Sequence, residues 1–126
     1  MRKLLYFLVA VFTITALTSC VIDVESEPDF SIKEKSRDLV YFLHSPTCGY
    51  SNAAKKYVNE TYPNATIVFI DIDNEGNKEY LKAAKHDYNL GSDIPTPIIC
   101  FGVNHITGWD FYKREALDTY IQDYLH

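Results

Sequence analysis

The residues best suited to chemistry in this chain form the tetrad Cys48-Gly49-Tyr50-Ser51. The tetrad follows an apolar run at residues 39–43 and the linking residues 44–47. A cysteine that a strand delivers to the first turn of a helix is favoured as a thiolate, because the helix N-terminus carries partial positive charge and unpaired N–H groups. Ser51 occupies the position where a second cysteine would close a disulfide within the tetrad. The pattern therefore predicts one nucleophilic thiol without its own disulfide partner.

The start of the chain has the pattern of an export signal. Arg2 and Lys3 precede an almost unbroken apolar stretch at residues 4–17, which is short for a membrane span and has no stop-transfer pattern after it. Its ending, Leu17-Thr18-Ser19-Cys20, resembles a bacterial lipobox, which implies cleavage before Cys20 and lipid attachment to that cysteine. The alternative is an ordinary signal peptide whose cysteine is incidental. We expect a signal peptide at residues 1–19 and a lipid-anchored protein of the cell envelope, facing the periplasm or the cell exterior.

Charge excludes some partners of the remaining 107 residues. Without Arg2 and Lys3, ten lysines and arginines remain against seventeen aspartates and glutamates, a net charge near −7. This balance argues against nucleic acid and against an acidic membrane surface as partners, since both need a basic protein surface. Residues 20–36 are acidic, contain a proline and lack a sustained hydrophobic period, which predicts a tether. We expect one small domain at residues 37–126.

The other cysteine of the predicted domain has a different setting. Cys100 lies in the apolar run at residues 97–101, which predicts a buried strand in which a cysteine behaves as a small hydrophobic side chain. A Cys48–Cys100 disulfide is the less favoured alternative. No metal site is expected, because the cysteines and histidines show no paired ligand spacing.

The hydrophobic pattern predicts alternating strands and helices. Apolar runs rich in β-branched residues predict strands at residues 39–43, 65–72, 97–101 and 105–107. Helical spacing predicts helices at residues 51–61 and 78–88, and a final amphipathic helix from residue 110 or 111 to 125. The order is βαβαββα, with the first two strands parallel and the last two forming an antiparallel hairpin.

This order, with Cys48 at the first strand-to-helix junction, resembles the thioredoxin fold over residues 37–125. Residues 46–51, Pro-Thr-Cys-Gly-Tyr-Ser, are similar to the Pro-x-Cys-Gly-Phe-Ser motif of monothiol glutaredoxins. The resemblance implies a central mixed four-stranded sheet flanked by helices, and a cis-proline segment around Thr96 that pairs with a bound chain. Pro95 fits the thioredoxin Pro-Thr pattern and is slightly favoured as the cis-proline. Pro97 fits the glutaredoxin spacing and stays open.

The resemblance also implies a mechanism. Cys48 would attack a disulfide, the Ser51 hydroxyl would donate a hydrogen bond to the thiolate, and His44 is a candidate for lowering the Cys48 pKa. A second thiol must resolve the mixed disulfide, either on the substrate or from a small thiol such as glutathione. This favours disulfide isomerisation or mixed-disulfide reduction over net oxidation. We expect a monomer without a bound cofactor, with glutathione as a candidate co-substrate and exported cysteine-containing proteins or small thiols as partners.

Several residues depart from both families and support a second hypothesis. Phe42 and Thr47 replace the buried aspartate and the tryptophan of thioredoxins, and Thr107 replaces the first glycine of the glutaredoxin Gly-Gly pair. These changes favour a thioredoxin-fold lipoprotein that has lost catalysis and serves in binding or assembly. A glutathione-ligated iron–sulfur carrier, which the glutaredoxin motif also implies, is disfavoured by export. We expect Trp109 and Asp110 to act in packing and as the N-cap of the last helix.

Overall fold

The computed structural model describes residues 27–125, and the elements follow the predicted order closely. The four strands are β1 (Val40–His44), β2 (Ile67–Asp71), β3 (Ile98–Phe101) and β4 (Asn104–Thr107). The helices are α1 (Ile32–Lys35), α2 (Gly49–Thr61), α3 (Lys78–Asp87) and α4 (Phe111–Tyr120), with 3-10 turns at Glu75–Asn77 and Ile121–Tyr124. The predicted signal peptide and Cys20 lie outside the described residues and stay predictions. Within residues 27–125, no helix has the length and apolar character needed to cross a membrane.

The four strands form one mixed sheet in the order β2-β1-β3-β4. Strand β1 is parallel to β2, with Val40 opposite Ile67, and antiparallel to β3, with Tyr41 opposite Cys100. Strands β3 and β4 form the antiparallel hairpin, in which Cys100 is opposite His105. This sheet with its flanking helices confirms the predicted thioredoxin-like fold.

Alternation along the central strands builds two hydrophobic cores, one on each face of the sheet. Successive strand residues point to opposite faces, so Val40 and Phe42 enter the core beneath α2 and α4. Tyr41 and Leu43 enter the core beneath α1 and α3. All five residues of β1 are buried, as expected for a central strand covered by helices on both sides.

The fold begins earlier than predicted, inside the segment expected to be a tether. The short helix α1 places Ile32 completely inside the second core. The carboxylate of Asp87, the last residue of α3, accepts hydrogen bonds from the Ser31 hydroxyl and the Lys33 N–H, each at 3.0 Å. The acidic composition concealed this one buried isoleucine, and the boundary at residue 37 is therefore too late.

Ser36 fastens this N-terminal segment to the β3–β4 hairpin. Gly102 adopts φ = 64°, a left-handed conformation that suits glycine in the hairpin turn. Its N–H donates to the buried Ser36 hydroxyl at 2.7 Å, and the Tyr124 hydroxyl donates to the Ser36 carbonyl at 3.0 Å. The end of the chain and the start of the domain therefore share one buried polar contact.

Candidate functional site

Cys48 is the N-cap residue of α2, between the end of β1 and the first turn of the helix. Its backbone is extended (φ −99°, ψ 121°), its carbonyl accepts the N–H of Asn52 at 3.1 Å, and its N–H donates to the Ser45 carbonyl at 3.0 Å. The side chain makes no capping hydrogen bond and is half-buried. The sulfur is therefore left at the positive end of a 13-residue helix with one side open to solvent.

The segment before β3 supplies the facing wall of the site. The Cys48 sulfur lies 3.8 Å from the carbonyl oxygen of Thr96, to which the thiol donates. The cis peptide bond joins Thr96 and Pro97, so the preference for Pro95 is wrong and Pro97 is the cis-proline. Pro97 is fully buried and its carbonyl accepts the Gly108 N–H at 2.9 Å, so it already belongs to the hairpin, whereas Pro95 is exposed.

Hydrogen bonds from several donors lower the pKa of the Cys48 thiol below its ordinary value. The largest contribution is the hydrogen bond of the Thr96 side chain, followed by the backbone N–H of Ser51. The Ser51 hydroxyl and the Tyr50 N–H lower the pKa further, and partial burial opposes them. The site therefore favours the nucleophilic form of the sulfur.

Ser51 is held in place from the other side. Its side chain is fully buried, and its oxygen accepts the Ser45 N–H at 3.3 Å. Because that oxygen already accepts one hydrogen bond, its own proton is available to the Cys48 sulfur. The structure thus brings Cys48, Ser51 and Thr96 together as one cluster.

His44 packs against two aromatic rings at the end of β1. Its ring is buried and its centroid is 6.2 Å from the ring centroids of both Phe42 and Phe69, while its Nδ1 has no hydrogen-bond partner among the described residues. Burial lowers the pKa of His44, and the charge of Lys55 lowers it further, so the ring is neutral at neutral pH. The groups that lower the pKa of Cys48 do not include His44. The role of His44 at Cys48 therefore stays a prediction.

Three polar side chains beside the site were missed by the sequence reasoning. The Ser45 hydroxyl lies 2.8 Å from a carboxylate oxygen of Asp73 and 3.1 Å from the Thr47 hydroxyl. Asp73 follows β2 as Ser45 follows β1, and the carboxyl ends of adjacent parallel strands meet at one edge of the sheet. The positions of Ser45 and Asp73, after two strands predicted to be parallel neighbours, were the sequence signal that could have identified this contact.

The loop before α4 has the structural roles predicted for it. An Asp110 carboxylate oxygen accepts the Lys113 N–H at 2.9 Å as the N-cap of α4, and the Trp109 ring packs 5.7 Å from the ring of Tyr57. Both predictions are confirmed. No group of three or more metal-ligating side chains occurs within residues 27–125.

Cys100 is the opposite of Cys48 in its surroundings. It is fully buried in β3 among the residues of the second core, as the apolar run predicted. Burial raises the pKa of its thiol to about 12. Both cysteines are free, so the structure does not contain the alternative Cys48–Cys100 disulfide.

The fold is similar to solved glutaredoxin structures at low sequence identity. A glutaredoxin from Archaeoglobus fulgidus matches with a TM-score of 0.52 and 16% identity, covering 69% of this chain and 91% of its own. Wheat glutaredoxin matches at 0.51 and 17%, covering 73% and 83%. The holo form of poplar glutaredoxin C1 matches at 0.50 and 22%, covering 72% and 86%.

No family model matches the chain, and neither does any curated protein. Identities of this size establish the fold alone. The chain therefore has a glutaredoxin-like fold, and the roles of its residues rest on the geometry around Cys48.

Proposed function

We propose that this chain is a thiol–disulfide oxidoreductase that works through the single nucleophile Cys48. The observation that carries the proposal is the position of its sulfur at the amino end of α2, where Thr96 and Ser51 favour the thiolate. The glutaredoxin-like fold supports the same chemistry. A buried cysteine such as Cys100 has neither the access nor the lowered pKa that this reaction needs.

The first step is exchange of one disulfide for another. The Cys48 thiolate attacks one sulfur of a substrate disulfide, a new S–S bond forms, and the substrate S–S bond breaks. The electron pair of the broken bond leaves on the second substrate sulfur, which takes a proton from solvent. The number of disulfides is unchanged, and Cys48 is now in a mixed disulfide.

Resolution needs a thiol from outside the site. Ser51 has no sulfur, and Cys100 is buried in the sheet. A second cysteine of the substrate would displace Cys48 and leave a rearranged disulfide, which is isomerisation without net electron transfer. Alternatively, when the substrate is a protein–glutathione mixed disulfide, Cys48 takes over the glutathione and releases the protein thiol. A free glutathione then attacks the glutathione–Cys48 disulfide, which yields oxidised glutathione and the Cys48 thiolate.

The substrate chain is proposed to lie along the Thr96–Pro97 segment. Its backbone faces the sulfur, with the Thr96 carbonyl 3.8 Å from the Cys48 Sγ. An extended peptide beside this segment would place its own cysteine at the attacking atom, in the manner of an added strand. Pro97 takes the position in this proposal that the sequence had slightly favoured for Pro95.

The proposed place of action is the cell envelope, with the chain anchored through lipid on Cys20. The support is the sequence at residues 1–20, and the proposed partners are exported cysteine-containing proteins or small thiols. Mass spectrometry of the mature protein should find residues 1–19 removed and acyl chains on Cys20. An unmodified Cys20 would count against the lipid anchor.

Trapping tests the proposed chemistry directly. Under mild oxidation, the wild-type protein and the Cys100→Ala variant should form mixed disulfides with cysteine-containing proteins, whereas Cys48→Ala should form none. Persistence of the adducts in Cys48→Ala would reject Cys48 as the nucleophile.

The binding-module hypothesis remains the second candidate, because Ser51 provides no resolving thiol. A pH titration of Cys48 alkylation distinguishes the two hypotheses. A pKa well below neutrality is expected for the oxidoreductase, and one near the free value of ~8.5 for the binding module.

A further inference from the structure

A chain of hydrogen bonds runs from the rim of the sheet to the neighbourhood of the reactive sulfur. It begins at Asp73, which lies just beyond β2, and passes to the buried Ser45 at 2.8 Å. From Ser45 it reaches Ser51 through the backbone, since the Ser45 N–H donates to the Ser51 hydroxyl oxygen at 3.3 Å. Asp73 and Ser45 are 28 residues apart in sequence, so only the parallel pairing of β1 and β2 brings them together.

The chemistry of the groups fixes the direction of each proton in this chain. A carboxylate only accepts, so the single Ser45 hydroxyl proton goes to Asp73. The contact of 3.1 Å between Ser45 and Thr47 must then have Thr47 as the donor. The Ser51 oxygen accepts from Ser45, which leaves the Ser51 proton for the Cys48 sulfur.

We propose that Asp73 is a positioning residue, which holds Ser45 and the loop to Cys48 so that the Ser51 hydroxyl donates to the thiolate. This inference rests on the proposed function, in which Cys48 is the reacting group. Asp73 is itself fixed by its surroundings: its N–H donates to the Asp71 carboxylate at 2.9 Å, and the Asp71 carbonyl accepts from the Asn77 side chain at 3.0 Å.

The proposed role and a simple charge effect predict opposite changes in the Cys48 pKa when the Asp73 carboxylate is removed. A carboxylate near a thiolate disfavours the thiolate by repulsion, so its removal would lower the thiol pKa. A carboxylate that positions a hydrogen-bond donor has the reverse effect, and its removal raises the thiol pKa. The other charged or titratable groups at this edge are His44, Lys55 and Asp71, which stay unchanged in the variants below.

The test measures the Cys48 pKa from the pH dependence of iodoacetamide alkylation in the full chain, in a Cys100→Ala background. Asp73→Ala and Ser45→Ala should each raise the pKa by about half a unit. Asp73→Asn keeps a carbonyl acceptor for Ser45 and should not raise it. Glu75→Gln is the matched control, because Glu75 is an exposed acid in the same turn whose contact is an ion pair with Lys78, and it should leave the pKa unchanged.

A second measurement separates positioning from general damage. In a Ser51→Ala background, Asp73→Ala should no longer raise the pKa, because the group through which Asp73 acts is gone. Far-UV circular dichroism and thermal melts identify any variant that fails to fold, and if Asp73→Ala fails, the rise expected in Ser45→Ala carries the comparison.

Three outcomes would overturn the inference: a lowered pKa in Asp73→Ala, an unchanged one, or an equal rise in the Ser51→Ala background. None of these outcomes would contradict the proposed function, provided that the Cys48 pKa of the wild-type protein is low and trapping depends on Cys48. A wild-type pKa near ~8.5 would instead reject the proposed function.

Discussion

Cys48 and Cys100 carry the same functional group in one small domain, yet their surroundings push the two thiols in opposite directions. Cys48 ends a loop at the start of α2, and donors from Thr96 and Ser51 lower its pKa. Cys100 lies inside β3, and burial raises its pKa to about 12. The difference arises from which end of which element each residue occupies, since the strand interior offers no donor that outweighs desolvation.

The first prediction concerns accessibility and has the largest expected effect. In the folded protein, iodoacetamide at pH 7.5 should alkylate Cys48 at least about 100-fold faster than Cys100, because Cys100 is buried and protonated. Peptide mass spectrometry measures the two rates. In urea the ratio should fall to near one, and comparable labelling in the folded state would remove the contrast.

The second prediction compares the same substitution at both positions. Cys100→Ser should lower the free energy of unfolding by about 1–3 kcal/mol, because a hydroxyl replaces an apolar thiol in a fully buried strand. Cys48→Ser should cost less than Cys100→Ser, since that side chain reaches solvent and serine is a favoured N-cap residue, which offsets part of the lost thiolate contribution. Urea denaturation at pH 7 measures both, and equal losses would show that the two environments are alike.

The third prediction uses the pH dependence of stability. The folded-state pKa of Cys100 is about 12 against 9.0 for the unfolded thiol, so only the unfolded chain loses this proton between pH 9 and 12 and stability falls as pH rises. Between pH 8 and pH 10, the titration of Cys100 alone should lower the free energy of unfolding by about 1.4 kcal/mol. The Cys48 pKa is lowered on folding, so its contribution has the opposite sign: it is absent below the folded pKa and grows as pH rises toward 9.0.

Urea denaturation of the wild type, Cys100→Ala and Cys48→Ala between pH 8 and pH 10 separates the contributions of the two cysteines to the pH dependence of stability. The wild-type curve also contains tyrosines whose pKa values burial raises, Tyr62 and Tyr88, and the differences between variants cancel them. A Cys100→Ala curve parallel to wild type would contradict the assignment.

The fourth prediction is the smallest and concerns Ser51 alone. Ser51→Ala removes a hydroxyl donor to the thiolate and should raise the Cys48 pKa by about half a unit to one unit, equivalent to about 0.7–1.4 kcal/mol. The pH profile of alkylation measures the shift. The slow labelling of Cys100 serves as the internal control, and an unchanged Cys48 profile would leave Thr96 and the backbone as the only donors that matter.

Local patterns in the sequence were sufficient for the fold and for the position of Cys48 at the start of α2. The apolar runs predicted all four strands, and alternation within β1 and β3 assigns their side chains to the two cores. The junction of a strand and a helix predicted where Cys48 lies. These features depend on residues close in sequence, where periodicity carries the information.

Contacts between distant segments account for what the sequence reasoning missed. Pro95 and Pro97 have similar neighbours in sequence, and the hydrogen bond from the Gly108 N–H to the Pro97 carbonyl is a long-range contact that no local pattern indicates. The link between Asp73 and Ser45 likewise depends on strand register. Ile32 lies in an acidic segment whose apolar residues follow no sustained period, so the sequence does not indicate that it is buried.

The early start of the fold limits where the enzyme proposed here can work. If lipid holds Cys20 in a membrane and Ile32 is fixed in the core, twelve residue steps join the bilayer to the domain. A fully extended polypeptide spans at most about 3.5 Å per residue, so the tether reaches about 40 Å. A tether ending at residue 37 would reach about 60 Å. Substrates would then have to come within a thin layer above the lipid headgroups to be reached.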